Sequence, residues 1–216
     1  MARTKSKKYQ AIEHLQNIIE PSKAFYQNVK DLWQTQVFSN NNPIIVELGC
    51  GSGEYTLGLA RKYPEHNYIG VDIKGDRLYK GANQALLEKL PNVAFLRTQI
   101  ENLATFFLPN SIQAIWITFP DPQPENPRKQ LTSSRFLDIY RVLLVSDGKI
   151  QLKTDSWEFF EATTNSLKKY DISEPISTTD LYNSPFLPAQ NGIQTHYETK
   201  YLKQNKAICF MAWSFK

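Results

Sequence analysis

The sequence has 216 residues and a formal net charge of +4, with 41% hydrophobic and 21% charged residues. This size and composition suit one well-buried globular domain and are small for two. No apolar run approaches the roughly 20 residues of a membrane span, and the N-terminus lacks the apolar core of a secretory signal, so we expect neither. The two cysteines, Cys50 and Cys209, indicate no disulfide framework, which favours a reducing cytoplasm. Together with three scattered histidines they give no metal-ligand spacing, so we expect no metal site.

The positive charge is concentrated in the first 30 residues. They contain six basic residues against Glu13 and Glu20, and the rest of the chain is formally neutral. The basic residues are Arg3, Lys5, Lys7, Lys8, Lys23 and Lys30. A basic segment on a neutral domain can bind a phosphate backbone, and a solvated terminus is the equally weighted alternative. We predict a basic, flexible arm over residues 1–20 and a single domain over residues 21–216.

Strands and helices alternate along the predicted domain. Helical spacing of apolar residues indicates a short helix at 11–19 and a second helix at 22–33. Apolar runs predict strands at 44–48, 68–71, 93–97, 112–118, 149–154, 171–177 and 207–215. Further helices are predicted at 54–63, from about 74, at 136–144 and at 157–170.

Three glycines at alternate positions follow the first long strand: Gly49, Gly51 and Gly53. They let the backbone turn sharply and approach a ligand, and a strand, a glycine turn and a helix together form a nucleotide-type cradle. The spacing departs from the dinucleotide pattern G-x-G-x-x-G, because Glu54 occupies the place of its third glycine. Glu47, just before the loop, disfavours a pyrophosphate and suits a sulfonium cation. An NAD-linked oxidoreductase is therefore disfavoured, and an ordinary glycine turn is the weaker alternative.

Polar side chains follow the next three predicted strands. Asp72 lies about 20 residues past the glycine loop, where a ribose-binding acid is expected, and it can also cap the next helix. Gln99 follows the third strand, where its amide or a nearby backbone N–H can serve an adenine edge. Asp121 lies between Pro120 and Pro122, which restrict the backbone, so a rigidly held site carboxylate is favoured over an incidental surface turn.

The last third of the chain adds another carboxylate and a polar segment. Asp155 follows the fifth predicted strand. A loop over 181–193 is long enough to be a lid or a binding loop, and it leads to residues 195–201, which are rich in donors, acceptors and aromatic rings. Between these regions, Arg128, Lys129 and Arg135 are suited to face phosphates.

Four of these segments resemble the bacterial tRNA (guanine-N7-)-methyltransferase family, from the glycine loop to the C-terminus. The segments are residues 47–53, 70–74, 119–122, and 153–155 taken together with 195–200. The first two are shared by many class I S-adenosylmethionine-dependent methyltransferases, and the last two are more specific to this family.

The resemblance implies a doubly wound α/β fold whose mostly parallel, seven-stranded Rossmann-like sheet has an antiparallel last strand. It implies methyl transfer from S-adenosyl-L-methionine to N7 of the variable-loop guanosine of tRNA. It places Asp121 at the catalytic centre and assigns to the cofactor Glu47, Gly49, Gly51, Gly53, Asp72, Gln99 and Asp121. It assigns to the substrate Asp155, Thr195, Tyr197, Glu198 and Lys200. We expect tRNA as the partner, no membrane, and a monomer or homodimer.

One segment departs from the family pattern. The family usually continues its Asp-Pro with Trp and a dense basic run that touches RNA, whereas Gln123 follows here and residues 124–130 are less basic. This departure moves part of the expected tRNA contact to the N-terminal arm. Two alternatives remain open: a methyltransferase for another RNA, a protein or a small molecule, and a tRNA-binding scaffold without turnover.

Overall fold

Eight strands form one sheet in the computed structural model, which describes residues 11–187 and 192–216. They are β1 (Ile18–Ile19), β2 (Ile44–Leu48), β3 (Asn67–Asp72), β4 (Val93–Arg97), β5 (Ile112–Thr118), β6 (Leu144–Thr154), β7 (Ile176–Thr178) and β8 (Cys209–Ser214). Their order across the sheet is β1-β4-β3-β2-β5-β6-β8-β7. Strands β1 to β6 run parallel, and β8 is antiparallel to both β6 and β7.

Helices cover both faces of this sheet. They are α1 (Glu54–Lys62), α2 (Gly75–Leu87), α3 (Leu103–Phe106), α4 (Ser134–Leu143), α5 (Trp157–Leu167) and α6 (His196–Leu202). Apolar residues of α1 and α2 belong to one core cluster, and those of α3, α4 and α5 belong to another. The predicted doubly wound α/β fold is confirmed. Among the described residues, no helix has the length and apolarity to span a bilayer.

The order of strands reverses at β2. After β2 the chain adds β3 and β4 on one side, and then returns to place β5 and β6 on the other. All of these strands are parallel, so their carboxyl ends meet at one edge of the sheet. In open α/β sheets, ligands bind at this edge beside the point of reversal. The fold therefore predicts a ligand site at the loops that follow β2 and β5.

The sheet has one strand more than predicted. Ile18 and Ile19 pair in parallel with β4, and both are buried, as is Ile12. Glu20 is also buried and forms an ion pair with Arg97 at 3.0 Å. Residues 11–20, assigned from sequence to a flexible arm, thus pack on the domain, because their apolar side chains cover the outer edge of β4. Residues 1–10 lie outside the described residues, and for them the arm stays a prediction.

The helix predicted at residues 22–33 is wrong. This segment forms turns, a 3-10 helix at Val29–Asp31 and a π-helix at Trp33–Val37. Trp33 is buried, its Nε1 donates a hydrogen bond to the carbonyl of Phe106 at 2.7 Å, and its ring stacks on Phe107. Because contacts with α3 fix the position of Trp33, the apolar spacing reflects burial without a continuous helix.

Helix α2 packs closely against the glycine loop at Gly81, where a Cβ would lie 2.6 Å from the Ser52 carbonyl oxygen and 2.7 Å from the Phe95 ring. We expect Gly81→Ala to lower the free energy of unfolding by about 1–3 kcal/mol, because overpacking outweighs the higher helix propensity of alanine. Urea unfolding measures this change. Lys80→Ala, at an exposed position of the same helix, is the control and should change stability by less than about 0.5 kcal/mol. Unchanged stability of Gly81→Ala would contradict the close contact.

Candidate active site

The glycine loop leaves the carboxyl end of β2 with left-handed backbone at all three glycines. The φ angles of Gly49, Gly51 and Gly53 are 69°, 57° and 70°. A Cβ at Gly53 would lie 2.5 Å from the Phe95 ring, so this glycine serves internal packing. A Cβ at Gly49 or Gly51 would meet no atom within 4 Å, so the backbone there faces open space. The open stretch is where a ligand can approach the main chain.

Glu47 braces the loop from beneath and is only 3% exposed. Its Oε2 accepts hydrogen bonds from the backbone N–H of Thr56, at 2.8 Å, and from the hydroxyl of the same residue. Its Oε1 accepts one from the Thr118 hydroxyl at 2.6 Å. Burial raises the pKa of Glu47 to about 7, although these hydrogen bonds act in the opposite direction. Glu47 therefore ties β2 to the first turn of α1 and to the end of β5.

Asp72 supports the same loop from β3. One carboxylate oxygen accepts the backbone N–H of Gly51 at 2.9 Å, and the other accepts that of Lys74 at 2.8 Å. The same carboxylate thus holds both the glycine loop and the start of α2, and its contact with a ribose stays a prediction.

Gln99 follows β4 with an exposed side chain, just before the 3-10 helix at Ile100–Asn102.

Asp121 extends into solvent from the loop that follows β5. On either side of it, Phe119 and Gln123 have left-handed backbone, with φ of 48° and 45°. The Gln123 side-chain amide donates to Asp121 Oδ2 at 2.6 Å, and the Gln123 backbone N–H lies 3.3 Å from Oδ1. Gln123, which replaces the Trp of the family pattern, therefore orients the Asp121 carboxylate.

Asp155 lies one residue beyond β6 and forms an ion pair with Lys206 at 3.3 Å. The backbone N–H of Phe119 donates to the Lys153 carbonyl at 2.8 Å, which ties the Asp121 loop to the strand that carries Asp155. Glu47, Asp72, Gln99, Asp121 and Asp155 all lie at or just past the carboxyl ends of neighbouring parallel strands. The structure thus brings these five predicted residues to one edge of the sheet.

The polar segment near the C-terminus forms helix α6. The Thr195 hydroxyl accepts the Glu198 backbone N–H at 3.1 Å, and a Glu198 carboxylate oxygen lies 3.4 Å from the Thr195 backbone nitrogen. This reciprocal pair is a capping box, and its Thr-x-x-Glu pattern is the signal by which the unpredicted helix could have been found. Tyr197 and Lys200 are exposed on α6, whereas Glu198 is completely buried.

Several supporting residues escape prediction because only tertiary structure brings them to the site. Thr56 and Thr118 hold Glu47, and Lys153 and Tyr182 contact Glu198. Thr118 is the last residue of an apolar strand, and Lys153 lies within an alternating one. Thr118 has no sequence pattern that separates it from an ordinary strand residue, and Lys153, although it belongs to the family segment 153–155, has no local signal of its contact with Glu198.

Some basic residues hold the fold together, and others lie where they can bind phosphates. Lys23 donates to the carbonyl oxygens of Leu15 and Ile18, and burial lowers the pKa of its ammonium. Its role in holding the N-terminal segment competes with phosphate binding. Arg3, Lys5, Lys7 and Lys8 lie outside the described residues. Arg128, Arg135 and Lys169 line an open groove of about 920 Å³ between α4 and α5, where Arg135 also forms an exposed ion pair with Glu101 at 3.7 Å.

The chain is similar to known methyltransferases. A protein-family model described as "Putative methyltransferase" matches residues 41–211. A tRNA (guanine-N(7)-)-methyltransferase from Cytophaga hutchinsonii is 43% identical, and the alignment covers 100% of this chain and 99% of that protein. A relative of the same name from Christiangramia forsetii is also 43% identical, with the same coverage. The chain belongs to the tRNA (guanine-N7-)-methyltransferase family.

This family member also shares its fold with solved structures. One is a 16S rRNA (adenine(1408)-N(1))-methyltransferase from Catenulisporales acidiphilia, determined with its cosubstrate SAM. The superposition has a TM-score of 0.57 and covers 85% of this chain and 89% of the other, at 15% sequence identity. At such identity the likeness concerns the architecture alone, and it matches the Rossmann-like sheet of this methyltransferase family member.

The buried carboxyl of Glu47 should make stability depend on pH. Its pKa is raised from 4.5 to about 7, so the folded state holds this proton more tightly than the unfolded chain does. Between these values stability should fall as pH rises, by roughly 3 kcal/mol in total, and Glu47→Gln should remove this contribution. Urea unfolding of both proteins from pH 5 to pH 8 measures the difference. Glu158→Gln, a change at an exposed site, is the control, and parallel curves for wild type and Glu47→Gln would contradict the prediction.

Proposed function

We propose that this family member transfers a methyl group from S-adenosyl-L-methionine to N7 of the variable-loop guanosine of tRNA. The observation that carries the proposal is the exposed Asp121 carboxylate after β5, next to the open glycine loop after β2. The two loops flank the point where the strand order reverses. Identity of 43% to tRNA (guanine-N(7)-)-methyltransferases over the full chain supports both the reaction and the tRNA substrate.

The residues present fit S-adenosyl-L-methionine, which when bound supplies an electrophilic methyl group on a sulfonium. The open backbone at Gly49 and Gly51 leaves room for a ligand, and the acidic side chain of Asp72 is bonded to the Gly51 backbone N–H. We assign to the cofactor site Glu47, Gly49, Gly51, Gly53, Asp72, Gln99 and Asp121. Glu47, Gly53 and Asp72 are buried and contribute by shaping the loop, whereas Gly49, Gln99 and Asp121 are exposed.

Guanine N7 carries a free lone pair and no proton, so the reaction needs no general base. The protein therefore contributes chiefly by aligning the base with the methyl group, and such alignment can lower a barrier by about 7–11 kcal/mol. Methylation leaves a positive charge on the guanine ring. Asp121, which is exposed and oriented by Gln123, is the catalytic residue that stabilises this developing charge.

The segments that recognise the base are the end of β6 and helix α6. Of the predicted substrate residues, we assign direct contact with the substrate to Asp155, Tyr197 and Lys200, whereas Thr195 and Glu198 are buried and contribute by holding the first turn of α6. An accessible carboxylate can accept guanine N1–H and N2–H together, a donor pair that adenine and uracil lack. Tyr197 is 46% exposed and offers a ring on which an unstacked loop base can rest.

The compartment and the oligomeric state of the enzyme are part of the proposal. We propose that it acts in the cytoplasm as a monomer or a homodimer. Both cysteines are free and buried, which suits a reducing compartment.

The proposed reaction predicts methylation of tRNA that carries a variable-loop guanosine and none when adenosine replaces it, because adenine lacks the N1–H and N2–H pair. Mass analysis of nucleosides should identify 7-methylguanosine as the product.

Asp121→Asn should lower kcat by about 100- to 1000-fold, since it removes the charge that faces the methylated ring. Asp171→Asn, at an exposed site near β7, is the matched control. Equal transfer to both tRNAs, or full activity of Asp121→Asn, would overturn the assignment.

Contacts with phosphates should make tRNA binding depend on salt and on the groove between α4 and α5. Because each phosphate contact releases counterions, replacing both Arg128 and Arg135 by alanine should weaken binding and reduce the slope of log affinity against log salt by about 1–2. Filter binding across a salt series measures both effects. Lys89→Ala, at the far end of α2, is the control. A salt-independent affinity would instead favour a small-molecule or protein substrate.

A further inference from the structure

Helix α6 is joined to the core of the domain by a buried ion pair. Lys153 Nζ lies 2.5 Å from Glu198 Oε1, and the two side chains are 1% and 0% exposed. The ammonium also lies 5.1 Å from the centre of the Tyr55 ring. Lys153 is in β6, two residues before Asp155, whereas Glu198 is in the first turn of α6. The pair therefore connects the two segments to which substrate binding is assigned.

Both carboxylate oxygens of Glu198 already have internal donors. Oε1 accepts a hydrogen bond from the Tyr182 hydroxyl at 3.0 Å and is ion-paired with the Lys153 ammonium, and Oε2 faces the Thr195 backbone N–H at 3.4 Å. With no exposed surface, Glu198 offers no oxygen to a guanine base in this structure. Among the acidic residues predicted for the site within the described chain, Asp121 and Asp155 have carboxylates that reach solvent.

The first turn of α1 holds the same helix from the side of the glycine loop. Glu54, which directly follows Gly53, accepts the backbone N–H of His196 at 2.5 Å. Gly58 on the next turn gives room to Ile193, because a Cβ there would lie 2.6 Å from the Ile193 side chain. Helix α6 is thus docked on α1 at its entry, and the ion pair fixes its first turn inside the domain.

We propose that Lys153 is a positioning residue for tRNA binding, which holds α6 through Glu198, and that Glu198 acts through this pair rather than by touching guanine. The inference rests on the proposed function for its substrate. Removing one member of a buried ion pair leaves the other charge uncompensated, which is far more costly than replacing both by neutral groups. Burial lowers the pKa of Lys153, while Glu198 first and then Glu47 oppose this effect, so the ammonium depends on its acidic neighbours.

The test compares Lys153→Met and Glu198→Gln with the double variant that carries both changes. Lys153→Met should raise hydrogen–deuterium exchange of the amides at His196–Leu202 by at least tenfold and the KM for tRNA by at least tenfold. Its kcat and its affinity for S-adenosylhomocysteine should stay within about threefold of wild type. The neutral double variant should return both exchange and KM to within about threefold. Lys203→Met, an exposed change just past α6, is the control for exchange.

Two outcomes would overturn the proposal. The first is wild-type exchange and KM in Lys153→Met. The second is a double variant with native exchange in α6 whose KM or kcat stays as impaired as that of Glu198→Gln, because Glu198 would then contact the substrate. If Lys153→Met does not fold, the comparison of Glu198→Gln with the double variant decides. Exchange is measured without tRNA, so a wild-type protein that fails to methylate tRNA would refute the proposed function and leave the docking result standing.

Discussion

The buried carboxylate of Glu47 is the contact on which the arrangement of the site depends. It lies at the end of the central strand, where the strand order reverses, and it receives hydrogen bonds from both neighbouring parts of the fold. Thr56 belongs to the helix that follows the glycine loop, and Thr118 belongs to the strand that delivers Asp121. A buried carboxyl is costly unless its oxygens are satisfied, so these three residues fix one another. The glycine loop and the Asp121 loop are held at a set separation as a result.

Acidic side chains at this edge divide by exposure into two kinds. Glu47, Asp72 and Glu198 are buried, have internal donors and hold elements together. Asp121 and Asp155 have access to solvent, and their oxygens can exchange present partners for a ligand. The division follows physical chemistry, because a carboxylate that has been desolvated and satisfied internally gains little from a further partner. An acidic residue type alone therefore does not distinguish a contact with the substrate from a structural role.

Three consecutive residues at the start of α1 connect the parts of the site. Glu54 accepts a backbone hydrogen bond from α6, the Tyr55 ring lies beside the Lys153 ammonium, and Thr56 donates to Glu47. They directly follow Gly53, the last glycine of the loop. The helix that supports the proposed methyl-donor site is thus also the surface on which α6 docks. Because both the glycine loop and α6 are attached to α1, the proposed sites for the methyl donor and for the base are held in a fixed relative position. No direct contact between the glycine loop and α6 is needed for this.

The sequence by itself determined the parallel strands, the glycine loop and the carboxylates at the strand ends, because alternation of apolar runs and glycine spacing are local properties of the chain. It also indicated the family, since the segments after β5 and β6 and in α6 carry its pattern. Only the tertiary structure decided that Ile18 and Ile19 form an edge strand and that Trp33 is positioned without a regular helix. It alone decided that Glu198 faces inward to Lys153, since these residues are 45 positions apart and no local pattern relates a strand lysine to a helix glutamate. Burial and pairing of charges are properties of the packed chain, and they separate the residues that form the site from those that support it.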